Sequence, residues 1–416
     1  MEKISIAIIG GGASGLFLAH ALSKAEDVKT EKVVLFERGE RVGRKLSATG
    51  NGQGNLTNLQ VCEAEYFTSE PSEKARVTEI IRAFDNKAMK TYFAEMGLLL
   101  TADERGRVYP SGRQASAVTD ALRFALANTS TEILLKTQVT DIQKGKDGFL
   151  LTAISDGATK SYLAKKVVLC AGGKAAKNFG TDGTAYALAQ NFSHTITPLY
   201  PSLVQLKTDT THTKTLKGIR VNDGVLTAHF AGKSLAFKGD IIFTDYGISG
   251  DAVFRASAFF SDKIERENVR LSIDFLPEFT ESELLALLQK KQLTYPDLPI
   301  NELLFGIVNN QIGRAIIKRA EGELTLAAKL VKNFPLITKG TLGFDYAQVT
   351  KGGVRLSETT ENLESKFVRG LYFAGEILDV DGQCGGFNLQ WAYSSANKVA
   401  FALLSSLKNI KGGGQV

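Results

Sequence analysis

Three glycines and one acid carry the clearest chemistry in this chain. Gly10, Gly12 and Gly15 spell G-x-G-x-x-G. They follow the β-branched run ISIAII (4–9) and open a stretch, 14–25, in which Leu16, Leu18, Ala19 and Leu22 recur at helical spacing. A second run, KVVLFE (32–37), ends in Glu37, 22 residues after Gly15. In a strand–turn–helix setting the glycines have separate tasks. Gly10 makes the tight turn, Gly12 lets a pyrophosphate reach the backbone, and Gly15 lets helix and strand pack closely. The helix start, with Ala13 and Ser14, carries the anion, and Glu37 accepts from the adenosine ribose hydroxyls. A glycine-rich turn in an ordinary α/β domain is the plainer alternative, but strand, turn, helix and acid together favour a dinucleotide. Arg38 follows the acid directly. The loop after it holds Gly43, Arg44 and Lys45, then TGNGQGNLTN (49–58), with Thr49, Gly50, Asn51 and Gly52. Such a stretch offers backbone donors to a second phosphate or a flavin ring, or is simply a solvated connection.

The elements that must position these residues are legible in outline. The first is a βαβ unit, right-handed by default. Residues 72–99 read as helical, with Ile80, Ile81, Phe84, Tyr92, Phe93 and Met96 on the apolar side, and 114–128 form another amphipathic helix. Segments 132–136, 139–144, 148–154 and 160–163 read as a small antiparallel set, and KVVLCA (166–171) as a buried strand running into Gly172 and Gly173. From about 195 to 255 short strands alternate with turns. Residues 280–332 are largely helical, 346–354 and 370–377 return to strand, and 388–408 form a closing helix. The parse is a nucleotide-binding domain made from both ends of the chain, 1–194 and 346–410. Inserted in it are a β-rich domain, 195–275 with 333–345, and a helical domain, 276–332.

Composition narrows the class. The chain has 416 residues, 44% of them hydrophobic and 23% charged, which excludes disordered, collagenous and coiled-coil chains. Its 40 glycines against 8 prolines suit tight turns rather than linkers. A net charge of +6 permits an anionic partner without requiring one. The three cysteines, Cys62, Cys170 and Cys384, form no CxxC pair, so neither a disulfide scaffold nor a cysteine zinc site is expected, and a reducing cytoplasm fits the count. The four histidines show no ligand spacing, so no metal is expected. No apolar run reaches the roughly 18 residues of a membrane span, and three consecutive glycines argue against reading the N-terminus as an export signal.

GRKLSATGNGQGNLTN (43–58) resembles the G-R-K-x-x-x-(S/T)-G-(G/N)-G-R-C-N-x-T-N signature of the aminoacetone-oxidase-like, or bile-acid-reductase-like, FAD flavoproteins. GRVYPSGRQASAVTDAL (106–122), GDIIFTDYGISGDAVFRAS (239–257), AQVTKGGV (347–354) and GLYFAGEILDVDGQCGGFNLQWAYSSA (370–396) are similar to the same family, so the resemblance runs from about residue 4 to 405. It implies an α/β fold: a Rossmann-like FAD-binding domain of glutathione-reductase type, interrupted by a β-barrel-like and a small helical domain. It implies FAD, with Gly375 and Glu376 on the ribityl or pyrophosphate region and Val139 meeting adenine through its backbone. Ala171, Gly172 and Gly173 would lie under the cofactor. Gly385, Gly386, Phe387 and Asn388 would present the closing helix's amides to the flavin N1–C2=O edge, where they would stabilise negative charge. Where the signature has Arg-Cys this chain has Gln53 and Gly54. Asp245 stands where histidine is common and Asp251 where proline is common. Cys62 is then expected as a buried small hydrophobe, Trp391 and Tyr393 as packing residues, and Cys384 either as a packing residue or in contact with the flavin.

The resulting expectation is a cytoplasmic FAD-dependent oxidoreductase performing two-electron chemistry at flavin N5, with no catalytic residue assigned. Only one dinucleotide fingerprint is present, so NAD(P)H would bind transiently as reductant. The substrate is a small amine or an unsaturated ring compound. One alternative is flavin-dependent dihydrouridine synthesis on 23S ribosomal RNA, and another is a non-catalytic flavin sensor. No membrane partner is expected, and the sequence leaves the oligomeric state open.

Overall fold

β1 (Glu2–Ile9) is buried at every position from Ile6 to Ile9. A strand covered on both faces belongs in the middle of a parallel sheet, and that is its place. It pairs in parallel with β2 (Val33–Phe36) on one side and with the long strand Ala158–Leu169 on the other. Leu371–Phe373 lies parallel beside Ala158–Leu169, and Glu132–Leu134 lies parallel beside β2. The first half of Ala158–Leu169 pairs antiparallel with Gly148–Ser155, which in turn pairs with Thr137–Gly145. The computed structural model describes residues 1–264 and 269–412. Its contacts divide the chain into two units, one from both ends (1–200 and from 349 on) and one from 201 to 348.

Register matters more here than strand count. Phe36, Ile9, Leu169 and Phe373 are successive cross-strand neighbours, so four strands end in one row. The chain beyond each end is tied to the next strand. Glu37 N donates to Leu134 O, Gly10 N to Phe36 O, Cys170 N to Ile9 O and Ala374 N to Leu169 O, at 2.8–3.0 Å. In open α/β sheets ligands bind outside this carboxyl edge. The helix α1 (Ala13–Ser23) leaves the row and packs against the closing helix Phe387–Gly412. Phe17 contacts Tyr393, Tyr92 and Phe84 at ring distances of 4.5–5.2 Å. Trp391 and Tyr393 are fully buried in that core.

Three local expectations change. Residues 132–134 extend the parallel sheet rather than joining an antiparallel set. The single helix expected over 72–99 is two, Lys74–Ala83 and Asn86–Glu95, because Asp85 caps the second by accepting from Lys87 N and Ala88 N. Cys62 is exposed rather than buried, since it leads into the surface turn Glu63–Glu65.

In the second unit six strands close a barrel, in the order Leu206–Thr208, Gly247–Ser249, Lys233–Phe243, Arg220–Phe230, Arg270–Asp274 and Phe334–Thr341. Helices Glu281–Thr294, Asn310–Arg319 and Leu324–Lys332 add Leu288, Ile316 and Val331 to the core formed by Ile241, Phe243 and Ile273. The β-rich and helical insertions thus share one core. Among the described residues no helix is long and apolar enough to cross a membrane, and no cluster of His, Cys, Asp and Glu could hold a metal ion.

The core beside α1 contains a titratable strut. His20 is buried, and its Nδ1 meets the Tyr92 hydroxyl. Burial, helped by the Lys24 charge, pulls its pKa down from 6.5 to about 4. The folded state therefore keeps His20 neutral while the unfolded chain protonates it. Its contribution to stability is present above pH 6.5 and is lost as pH falls from there toward 4. That loss is of order 2 kcal/mol. Urea unfolding at a series of pH values is expected to show it, with a shallower decline in His20→Gln. Equal slopes in the two proteins would contradict the assignment.

Candidate functional site

The row of strand ends gathers most of the residues expected at a cofactor. Gly10 has φ +111°, and a Cβ there would lie 2.6 Å from Cys170 O. A Cβ on Gly15 would fall 1.9 Å from Gly10 O. Both glycines are demanded by the protein's own packing. Gly12 differs: φ is −84°, and an added Cβ would meet nothing within 4 Å. It caps α1 without a side-chain acceptor, and no acid stands in the first turn. The amides of Ala13, Ser14 and Gly15 accordingly lack intrahelical partners, the feature by which a helix start binds an anion.

Glu37 stands beside this turn. Its Oε2 accepts from Gly11 N at 2.9 Å and its Oε1 from Gly39 N at 2.6 Å. Each oxygen keeps a lone pair for a ribose hydroxyl. Thr137 N donates to Glu37 O, which brings the edge strand carrying Val139 alongside. Arg38 and Arg44 reach across to the segment after Ala171–Gly172–Gly173. Arg38 pairs with Asp182 at 3.0 Å and donates to Gly180 O, and Arg44 donates to Asn178 O at 2.7 Å.

Glu376 holds a second cluster together. Its Oε2 binds Lys45 Nζ at 2.7 Å, and its Oε1 accepts from Thr350 N at 2.9 Å. Thr350 Oγ1 accepts from Lys174 N and Ala175 N. A Cβ on Gly173 would collide with Thr350 Oγ1 at 2.5 Å. Gly375, at φ +81°, lets Ser14 Oγ approach to 2.6 Å of where a Cβ would be. Cys170, underneath, is buried, and its thiol is pushed up to about 12; it is a packing residue.

The turn before the closing helix forms a third group. Gly386, at φ +102°, lies against Thr57, and Asn58 Nδ2 donates to Gly385 O. Asn388 uses its side chain to clamp Gly382 N and O at 2.8 Å. Phe387 is buried against Tyr66. Thr49, Gly50, Asn51 and Gly52 form a turn of their own. Asn51 and Gly52 are exposed with left-handed φ, and the turn is tied to Asn55 and Ala115. Two buried oxygens on these segments, Asn55 Oδ1 and Gln383 Oε1, have no partner within the protein.

The open Gly12 turn, the uncapped amides, the acid and the unpartnered buried acceptors fit a dinucleotide with a polar ring system. Sequence reasoning missed Thr350, Asp182 and Asn178. Thr350 lies in the AQVTKGGV stretch, which was its only signal.

Residues 4–402 match the family described as HI0933-like protein Rossmann domain. The chain is 35% identical to the 3-dehydro-bile acid delta(4,6)-reductase of Clostridium scindens, over 94% of this chain and 96% of that one. It is 29% identical to the ribosomal RNA dihydrouridine synthase of Haemophilus influenzae, over 95% and 97%. The 3-ketosteroid-delta4-(5alpha)-dehydrogenase of Rhodococcus jostii shares the fold, with a TM-score of 0.52 at 14% identity over 97% of both chains. Matching along nearly its whole length, the chain belongs to the HI0933-like Rossmann-domain family and is an FAD-dependent oxidoreductase.

Proposed function

We propose that this oxidoreductase reduces a carbon–carbon double bond conjugated with a ring carbonyl in a small unsaturated ring compound, taking its electrons from NAD(P)H bound transiently. The observation that carries the reading is the 35% identity to a reductase of unsaturated 3-dehydro bile acids across 94% of the chain. Charge does not decide against RNA: the 201–348 unit holds 18 Lys and Arg against 17 Asp and Glu, and the rest of the chain carries nearly all of the net +6.

Bound FAD supplies the two-electron chemistry. The chain's own residues hold and bias it. The Gly10–Gly15 turn and the first amides of α1 would take the pyrophosphate, and Glu37 the ribose. Gly375 and Glu376, the latter braced by Lys45 and Thr350, would set the middle of the cofactor. The amides at Gly386–Asn388 would place the positive end of a 26-residue helix against negative charge on the ring.

The test is anaerobic turnover of the FAD-loaded protein with NADH or NADPH and a 3-oxo-4,6-diene bile acid, followed by loss of dienone absorbance. Saturation of the ring is expected. No reduction, with lowered dihydrouridine in 23S rRNA of a deletion strain, would replace this reading with RNA modification. Peroxide formed from a small amine would replace it with amine oxidation.

A further inference from the structure

Reduction of a conjugated double bond needs a proton as well as a hydride, and the cysteine of the family signature is missing here. Its position, Gly54, is closed to any side chain. Gly54 has φ +79°, and a Cβ would lie 2.7 Å from Ala115 Cα. Ala115 is held there because its N–H donates to Gly52 O at 2.7 Å. The neighbouring departure, Gln53, points to what stands in its place. Its Oε1 accepts from Arg113 Nη1 at 3.5 Å, and the Arg113 guanidinium sits 4.1 Å from the ring centre of Tyr109. Arg113 has φ +51°. A left-handed arginine is a strained conformation of the kind that gathers at functional sites.

Tyr109 lies on the strand where two of the site segments meet. Its strand, Arg107–Pro110, pairs with Thr57–Asn58 at the end of the signature loop. Cys384, in the turn before the closing helix, is close enough to interact with the Tyr109 hydroxyl electrostatically. Arg107, on the same strand, packs against Gly385 of that turn. The two buried oxygens without a protein partner, Asn55 Oδ1 and Gln383 Oε1, belong to these same two segments. Within the same unit Cys170, His20 and His194 are buried in the core.

We propose that Tyr109, with Arg113 over its ring, donates the proton in this reduction. The assignment rests on the double-bond reading above. The hydride adds to the β-carbon, and the π electrons move to the α-carbon and carbonyl as an enolate. The Tyr109 O–H bond then breaks as the new C–H bond forms at the α-carbon, and the tyrosinate regains a proton from water. Burial raises the hydroxyl's pKa, and the hydroxyl holds its proton at neutral pH with or without that shift. Arg107 and Arg113 act in the opposite sense, Arg107 against the charge of Asp103 with which it is paired at 2.8 Å, so Arg113 is the cation left to favour the anion. A cation over an aromatic face strengthens its hold as that ring gains charge.

The experiment compares wild type, Tyr109→Phe and Arg113→Met, each loaded with FAD and with its FAD-to-protein ratio and melting temperature recorded. Tyr109→Phe is expected to bind FAD and melt like the wild type, and to saturate the 3-oxo-4,6-diene about 100-fold more slowly or worse. Its residual product, formed in D2O, should carry deuterium on both faces of the α-carbon, whereas wild-type product carries it on one. In ring-labelled tyrosine NMR of the substrate-free holoprotein, the resonance absent from Tyr109→Phe should titrate at higher pH in Arg113→Met. Undiminished turnover with one-face labelling in Tyr109→Phe would overturn the donor assignment while leaving the reductase reading intact. An unmoved titration in Arg113→Met would overturn the part given to Arg113. A wild type that reduces no dienone would overturn the reductase reading, and the donor with it.

Discussion

Gly12→Ala is expected to yield a protein that folds and melts as the wild type does but holds FAD about 10–100-fold more weakly. Gly15→Ala is expected to lose the fold. The contrast follows from what each added methyl would meet. At Gly15 it would sit 1.9 Å from Gly10 O, so α1 would have to part from β1. The core under α1 includes Leu16, Phe17, Leu18 and Leu22, all completely buried. Separating the two elements opens that core, and overpacking alone costs about 1–3 kcal/mol. At Gly12 the backbone is ordinary and the space is empty of protein. The methyl strains nothing until a pyrophosphate approaches, and then a similar 1–3 kcal/mol falls on binding alone; about 1.4 kcal/mol is tenfold in affinity. Thermal melts of the FAD-free proteins and fluorescence titration with FAD separate the two effects. Unchanged FAD affinity in Gly12→Ala would move the pyrophosphate off this turn.

The same contrast explains how much of the site was legible in the sequence. Strand, glycine turn, helix and acid are local patterns, so β1, α1, β2 and Glu37 could be read directly. The row Phe36–Ile9–Leu169–Phe373 was not, because it is set by register between residues as far apart in sequence as Leu169 and Phe373. Residues 132–134 looked antiparallel for that reason: the segment's period is the same in either pairing, and only its partner, β2, decides. Side-chain bonds to remote backbone leave still less trace. Thr350 supports Lys174 and Ala175, and Arg38 grips the 180–182 segment, with no periodicity to announce either. Asp85 breaks a helix that the apolar spacing of Ile80, Ile81, Phe84 and Phe93 seems to continue, because its carboxylate satisfies two amides at the new start.

Glu37 carries the other large expected effect, and its geometry gives the acid two roles that a single substitution would blur. Before any ribose arrives, its carboxylate already splints the phosphate turn: Oε2 holds Gly11 N and Oε1 holds Gly39 N. Gly43 N in turn donates to Gly11 O at 2.7 Å, so the splint also steadies the entry to the signature loop. Glu37→Ala removes two charge-assisted bonds, each worth about 1.5–3 kcal/mol. It should lower the melting temperature of the FAD-free protein and weaken FAD by about 100-fold or more. Glu37→Gln keeps the length and one acceptor oxygen but turns an NH2 toward one of the two amides. It should therefore lose one splint bond as well as the charge. Amide exchange locates the damage. Faster exchange at both Gly11 and Gly39 is expected in Glu37→Ala, and at one of them in Glu37→Gln. If both variants keep protected amides and still lose FAD, the acid acts on the ribose alone. If exchange quickens while FAD affinity holds, its role is confined to the turn. Both changes together are expected, because the oxygens proposed to meet the ribose are the atoms that hold the turn.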